Sequence, residues 1–253
     1  MNKSLLTKLW MIFFWVLLTP VNYAYSKTVI KVAVAQLPNV EKHPKETLFI
    51  ELLNAMDNQS PDVRIEILEM PFARTLVELA RGHVDAQLPV MYDPNDILGA
   101  TDYMKQFGIK LNDFTYTDEN LFRTHFVIVS KEDVEITPEN LMEYEVATDM
   151  SHVAFFKHQF KGTHSMKAAI ANVQRGTLDG YLFDSEKVSQ VVRDLDFVDH
   201  RLNSFAFYDV RFMVRNDEKG IRIKLLLDQI VAELKESGEF DRVMHDLVNE
   251  HGY

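Results

Sequence analysis

The 253-residue chain contains no cysteine. Disulfides, cysteine nucleophiles and thiolate metal sites are therefore excluded, and the fold must stand on its apolar cores. Positive charge is scarce: 27 lysines and arginines face 38 aspartates and glutamates, a formal net charge of −11. Bulk electrostatics of that sign disfavours nucleic acid and anionic membranes, while leaving room for a local basic pocket. With 9 glycines and 8 prolines, no stretch is rich enough in Gly, Ser or Pro to read as a tether, and no tract is of low complexity. Hydrolase and phosphate-loop grammar is missing too: there is no Gly-x-Ser-x-Gly, no His-Glu-x-x-His and no Gly-rich phosphate loop. Asp93 and Asp96 read as solvated turn residues. After residue 26, no run is long and apolar enough to cross a bilayer.

Residues 1–26 stand apart. Lys3 and Lys8 precede the apolar run Leu9–Leu18, followed by Pro20 and then by Ala24-Tyr25-Ser26, small residues spaced for cleavage. This is the layout of a secretory signal peptide, which places the mature protein in the periplasm. A retained signal anchor is the alternative, and the apolar run is short for a span. Cleavage removes two lysines and no acids, so the mature chain is more acidic still.

What is present is apolar patterning. At 47% hydrophobic residues, the chain can build one large core or two small ones. Its organising stretch is Lys167–Val192, which reads as helix, tight turn, strand, helix. Ala168, Ala169, Ile170 and Val173 form one helical face. Arg175-Gly176 ends that helix, because Gly accepts the left-handed conformation other residues resist. Gly180–Phe183 is a short buried strand, and Asp184-Ser185 caps the following helix. A carboxylate thereby lands at the C-terminal end of a strand, where open α/β sheets bind ligands. The same phrase occurs earlier: Leu79-Ala-Arg-Gly-His-Val-Asp-Ala86 echoes Val173-Gln-Arg-Gly-Thr-Leu-Asp-Gly180. Two copies of helix, Arg-Gly, Asp, strand predict a duplicated α/β lobe.

The remaining elements obey the same grammar. Strands are expected at Thr28–Ala35, Val63–Leu68 and Ala86–Val90, with helices at Pro44–Met56 and Phe72–Ala80 between them, giving β-α-β-α-β and a mainly parallel sheet. Residues 91–120 are irregular, a long loop of the kind that carries function. Further strands are expected at Phe122–Val129, Glu145–Thr148 and Phe205–Val214. Thr137-Pro138 reads as a helix start. Asp149 or Ser151 is expected to cap a helix reaching about Phe160. Ile221–Ser237 is a long amphipathic helix stopped by Gly238, and Phe240–Leu247 is a last short one.

In order and spacing, these parts resemble solute-binding protein family 3, the periplasmic receptors of polar amino-acid ABC importers. The resemblance is carried by the opening strand and by Met70-Pro-Phe-Ala-Arg-Thr75 before the Arg-Gly-x-x-Asp turn. It continues in Asp113-Phe-Thr-Tyr116, Leu141–Ser151, Gly176–Gly180 with Asp184, and the C-terminal Leu-x-x-Leu to Ser-Gly-Glu-Phe pattern. It spans nearly all of the chain after residue 26. It implies an α/β, two-lobe periplasmic-binding-protein type II fold, each lobe a mixed, mainly parallel sheet flanked by helices, with the ligand cleft between them. The crossings would fall near Tyr116–Arg123 and Phe205–Phe212. Lobe one would be 27–118 plus 209–253, and lobe two 119–208. One departure bears on the ligand. Amino-acid binders usually carry an Arg shortly before the Asp-Phe-Ser segment; Met104–Asn112 here offers Lys105 and Lys110 instead. An ordinary α-amino acid is then not the expected solute.

The resemblance and the pattern together nominate eight ligand-binding residues. Arg74 opens a helix after a strand and suits an anionic group; its other reading is a solvated helix arginine. Phe72 beside it lines the cleft or belongs to the core. Asp184 matches the family carboxylate that accepts a ligand ammonium, or is a plain helix cap. Ser151 and His152 sit where the family binds carboxylate through a helix N-terminus; by itself His152 reads as a surface histidine. Tyr92, Tyr116 and Arg123 complete the set, near the loop and the crossing. His152, His158 and His164 recur six apart, which scatters them around a helix, so no metal site is expected. No cofactor is expected.

Three functional readings are compatible with this pattern. The first is an exported, monomeric solute-binding protein that captures an amino-acid-like or organic-anion solute for an ABC permease. The second is a periplasmic enzyme of the same fold, resembling cyclohexadienyl dehydratase, with Asp184 or His152 as acid or base. The third is a stand-alone sensory or partner-binding module.

Overall fold

The computed structural model describes residues 27–36, 44–92, 105, 108–150, 152–153, 155–156 and 158–251. The leader-like segment, Asp93, Asp96 and Ser151 therefore lie outside the described residues. Strand β1 (Thr28–Gln36) is buried on both faces over Val32–Ala35, as a central parallel strand must be. Helix α1 (Pro44–Gln59) leads to β2 (Val63–Pro71), and α2 (Phe72–Ala80) follows without a loop. After β3 (Ala86–Tyr92) come β4 (Phe114–Tyr116) and β5 (Phe122–Lys131). The middle of the chain holds β6 (Val146–Asp149), β7 (Lys161–Thr163), α3 (Met166–Arg175), β8 (Gly180–Asp184) and α4 (Ser185–Asp194). The chain closes with β9 (His200–Arg215), α5 (Glu218–Ser237) and α6 (Glu239–His251).

The strands form one sheet in the order β2-β1-β3-β9-β5-β8-β6-β7, with β4 also on β9. The order is a palindrome in kind. β1 pairs in parallel with β2 and β3, and β6 pairs in parallel with β7 and β8. β3 then meets β9 antiparallel, and β8 meets β5 antiparallel. At the centre, β9 serves both halves: residues from Asp209 to Val214 pair with β3, and His200 to Val210 pair with β5. β4 and β5 run end to end along β9, bridged by Thr117 and Leu121, whose N–H groups donate to the Phe212 and Val210 carbonyls at 3.0 and 2.9 Å. The stretches expected as crossings, Tyr116–Arg123 and Phe205–Phe212, fall in this region of the sheet.

The Arg-Gly-x-x-Asp repeat is a repeat of bonding. Gly82 and Gly176 both adopt left-handed φ, 73° and 76°. Three residues on, each Asp clasps the neighbouring parallel strand. The Lys31 N–H donates to the Asp85 carboxylate at 2.9 Å, while the Asp85 N–H donates to the Lys31 carbonyl at 2.8 Å. The Glu145 N–H donates to the Asp179 carboxylate at 2.7 Å, and the Asp179 N–H donates to the Glu145 carbonyl at 3.1 Å. Val84 and Leu178 between them are buried. The charge of each Asp thus replaces a ladder bond at the mouth of a parallel pair.

Each half has cores of its own. Ile30, Leu52, Leu53, Phe122, Phe212, Leu227 and Phe240 sit in one cluster, under α1, α5 and α6. Ala33, Leu76, Leu79 and Met213 sit in another, on the α2 side. Around β8, Ile170, Val173, Tyr181 and Val188 pack with α3 and α4, and Phe126, Phe156, Phe160 and Tyr208 pack on the opposite face. Burial of such side chains stabilises the fold by about 1.5–3 kcal/mol each.

Two expected helices are absent. Thr137-Pro138 starts nothing longer than the three-residue 3-10 turn Leu141–Glu143. The described residues between Asp149 and Phe160 are turns and bends, with β7 next in the chain. Here Phe156 and Phe160 pack edge-on against each other and both against Phe205, in the cluster that holds Phe126 and Tyr208. Aromatic residues have only modest helix propensity, so tertiary packing decides their backbone. β9 is longer than expected, because it must reach both halves.

Candidate functional site

Three of the nominated residues, Phe72, His152 and Asp184, follow or close the strands β2, β6 and β8. β2 ends at Pro71, whose extended backbone (φ −55°, ψ 142°) lets α2 begin at once. The first helical residue is Phe72, half-buried against the α2-side core. Its carbonyl accepts the Thr75 hydroxyl at 2.6 Å. Its ring faces His152, with centroids 6.0 Å apart and planes 18° from parallel.

His152 is 7% exposed, so its reading as a surface histidine is wrong. The turn after β6 folds it back: its N–H donates to the Asp149 carbonyl at 2.9 Å. The ring lies against the edge of Phe183 at 5.2 Å and beside Phe126 at 6.3 Å. Nδ1 is 3.9 Å from the Asp149 carboxylate. An imidazole has an apolar body and polar corners, so an aromatic pocket with one carboxylate at its corner accommodates it. The described residues beside it form turns and bends, and Ser151 lies outside them.

Asp184 stands at the end of β8 and caps α4. One carboxylate oxygen accepts the Lys187 N–H at 3.3 Å and the other accepts the Thr124 hydroxyl of β5 at 2.6 Å. The cap reading is therefore real, and Asp184 is 7% exposed. Lys187, in the first turn of α4, is buried, and burial lowers its pKa to about 8. The Tyr181 hydroxyl is buried with no hydrogen-bond partner among the described residues. Burial, with the nearby Asp149 charge adding to it, pushes that phenol upward.

A second group gathers at the crossing. The Tyr92 and Tyr116 rings are 4.9 Å apart, and the Arg211 guanidinium lies 4.6 Å from the Tyr92 centroid. Burial first, and the Tyr92 phenol second, push Tyr116 up to about 12. Arg211 donates to Asp209 at 3.0 Å and to the Thr117 carbonyl at 3.1 Å, while its Nε is buried with no partner. Arg123 and Asn120 also donate to Asp209, at 3.3 and 3.4 Å. Arg123 is thus tied to β9 through Asp209.

Arg74, two residues after Phe72, pairs along its own helix. Its side chain is 67% exposed, 3.5 Å from Glu78 one turn along α2. Glu78 also bonds His83 at 2.7 Å, and chiefly for that reason its carboxyl sits below the usual range. Lys105 and Lys110 are exposed. Thr124, Phe126, Phe183, Asp209 and Arg211 were not foreseen as site residues. Of these, Asp209 and Arg211 had a signal: two opposite charges, two apart, inside the apolar run Phe205–Val214. The aromatics had none, since Phe in a strand is ordinary core. Among the described residues no group of three or more His, Asp or Glu could hold a metal ion. No helix among them is long and apolar enough to cross a membrane.

No protein-family profile and no curated protein matches the chain. Solved structures do. A mutant of ArgBP from T. maritima is 16% identical, with a TM-score of 0.60, over 87% of this chain and 95% of that one. The substrate-binding protein of an amino acid ABC transporter is 16% identical, with a TM-score of 0.57, over 87% and 98%. A histidine kinase sensor domain with similarity to periplasmic binding proteins is 13% identical, with a TM-score of 0.63, over 87% and 96%. Likeness over whole chains at such identities establishes architecture: this chain has the two-lobe periplasmic-binding-protein type II fold.

Proposed function

We propose that the chain is an exported solute-binding protein that closes two lobes on a small polar solute, amino-acid-like or an organic anion, and delivers it to an ABC permease. The observation that carries this reading is the interlobe wall: Phe72 from one half against His152 from the other, with the buried Asp149 carboxylate beside the imidazole. Aromatic faces with a few fixed polar groups are the chemistry of a small-molecule site. Support also comes from the neighbours described as importer binding proteins, and from the leader-like residues 1–26, which fit a periplasmic location. The lobes divide in this reading at 118 and 209, with 27–118 plus 209–253 in one and 119–208 in the other. The pairing of β9 with β3 through Asp209 and with β5 up to Val210 supports that division. Arg74 is the guanidinium for an anionic part of the solute, Asp184 takes a cationic or hydroxyl part, and Tyr92, Tyr116 and Arg123 border the hinge. The protein works as a monomer and returns its solute unchanged.

The test is a thermal-shift screen of amino acids, amines, small peptides and organic acids on the chain without residues 1–26, with native mass spectrometry to catch a co-purified solute. A solute that binds only the folded state raises its stability by mass action. A well-folded protein that no compound stabilises would remove the binding role. Chemical turnover of a bound solute would replace it with the enzyme reading.

A further inference from the structure

Lys187 is the one buried lysine among the described residues, 7% exposed. Buried ammonium groups are ordinarily paired, because taking an unpaired charge out of water is costly. The half-buried lysines of α5 conform: Lys224 meets Asp118 and Asp228 at 2.5 and 3.0 Å, and Lys235 meets Glu119 at 2.6 Å. The Lys187 amine has no ion pair or hydrogen bond among the described residues. It is the backbone N–H of Lys187 that donates to Asp184, at 3.3 Å, while the other Asp184 oxygen takes the Thr124 hydroxyl. Position adds to the penalty on charge. Lys187 lies in the first turn of α4, where the helix dipole opposes a cation. Burial, the missing partner and the dipole all favour the neutral amine, in line with a pKa lowered to about 8. The nitrogen is not among the fully enclosed partnerless atoms, which include the Tyr181 hydroxyl, so it keeps contact with solvent.

We propose that Lys187 is a reactive amine that captures a small carbonyl compound, an aldehyde or an α-keto acid, as a reversible imine. The neutral nitrogen attacks the carbonyl carbon and the C–N bond forms. Both amine hydrogens then leave with the carbonyl oxygen as water, and no atom changes oxidation state overall. A desolvated lysine is a nucleophile near neutral pH because much of it is unprotonated. A solvated lysine, with a pKa of about 10.4, is almost wholly protonated there. This chemistry goes beyond solute capture and does not depend on it. Hydrolysis of the imine returns the carbonyl compound unchanged.

The experiment supplies propanal and pyruvate separately to the folded chain after residue 26, at a pH of about 7.5. Cyanoborohydride fixes any imine as a secondary amine, and peptide mass spectrometry reads the labelling rate at each lysine. Lys167 is the internal reference, because it also lies in the first turn of a helix, α3, but is exposed. At that pH an amine titrating near 8 is about a hundredfold richer in its neutral form than an ordinary lysine. Even with hindered access, Lys187 is expected to label roughly tenfold or more faster than Lys167 with at least one reagent. Fast labelling by propanal alone assigns the site to aldehydes, and by pyruvate alone to α-keto acids. The preference should vanish in concentrated urea. Lys187→Arg should remove the fast site and leave labelling at Lys167 unchanged. Labelling of Lys187 no faster than of Lys167 with both reagents overturns the inference, and so does a preference that survives unfolding. If Lys187→Arg does not fold, the comparison of the two lysines within the unsubstituted chain still decides. The outcome is independent of whether any solute in the thermal-shift screen stabilises the protein, so the two readings fail separately.

Discussion

Asp184 bonds two neighbours at once, the Thr124 hydroxyl and the Lys187 amide, and its proposed contact with solute would be a third role. The roles separate by substitution. Asp184→Ala should lower urea stability by about 1–3 kcal/mol, since it removes a helix cap and leaves a buried hydroxyl unpaired. Asp184→Asn keeps an acceptor for the cap and should lose about 1 kcal/mol or less. Both should weaken a cationic solute roughly tenfold or more; an Asn variant with full affinity would confine Asp184 to capping. Lys187 gives a pH signature. Burial holds it at about 8, below its unfolded value of about 10.4. Between those values the unfolded chain binds more protons, so this lysine makes stability rise with pH from about 8 to 10. The difference in urea stability between wild type and Lys187→Met should rise over that range; a flat difference would show a solvated ammonium.

Among elements, the glycines make the sharpest contrast. Gly176 ends α3 with φ 76°, and an added Cβ would meet the flexible end of Lys131. Gly176→Ala should cost about 1 kcal/mol, from backbone strain. Gly220 lies in the first turn of α5, where a Cβ would fall inside the carbonyl of Arg215, which is backbone and cannot swing away. Its N–H also takes the Asp217 cap at 2.7 Å. Gly220→Ala should cost about 2–4 kcal/mol by chemical denaturation; a change no larger than at Gly176 would mean α5 shifts freely on β9. The Gly176 turn was legible in the sequence because Arg-Gly after an apolar helical face has one conformational meaning. Gly220 was not, because its constraint is the Arg215 backbone folded back on it five residues upstream, a close approach that no turn residue signals.

At the scale of the molecule, the crossing holds the two halves in register. Asp209 accepts from Arg123, Arg211 and Asn120, joining β5, β9 and the bridge between β4 and β5. Arg211 also covers Tyr92 at the end of β3. Asp209→Ala should lower stability by about 1–3 kcal/mol, because it leaves the half-buried Arg211 guanidinium without its carboxylate. It should also loosen the angle between lobes, read as a broader distance distribution between spin labels placed one on each half. An unchanged distribution would mean the β9 ladder alone sets the angle.

The repeat, the parallel β-α-β order, the caps at Asp184 and Gly176 and the two-lobe class were all determined by local pattern. Period, turn residue and N-cap act within a few positions, so they can be read from sequence. Tertiary structure alone decided the rest. It buried His152 by placing Phe72, Phe126 and Phe183 around it, residues far apart in the chain. It kept the described residues between Asp149 and Phe160 in turns and bends, because aromatic packing there outweighs propensity. It paired Arg211 with Asp209 on β9, and left Arg74 in solvent beside Glu78. Those outcomes depend on what lies across the sheet, and the spacing of residues along one strand carries no information about that.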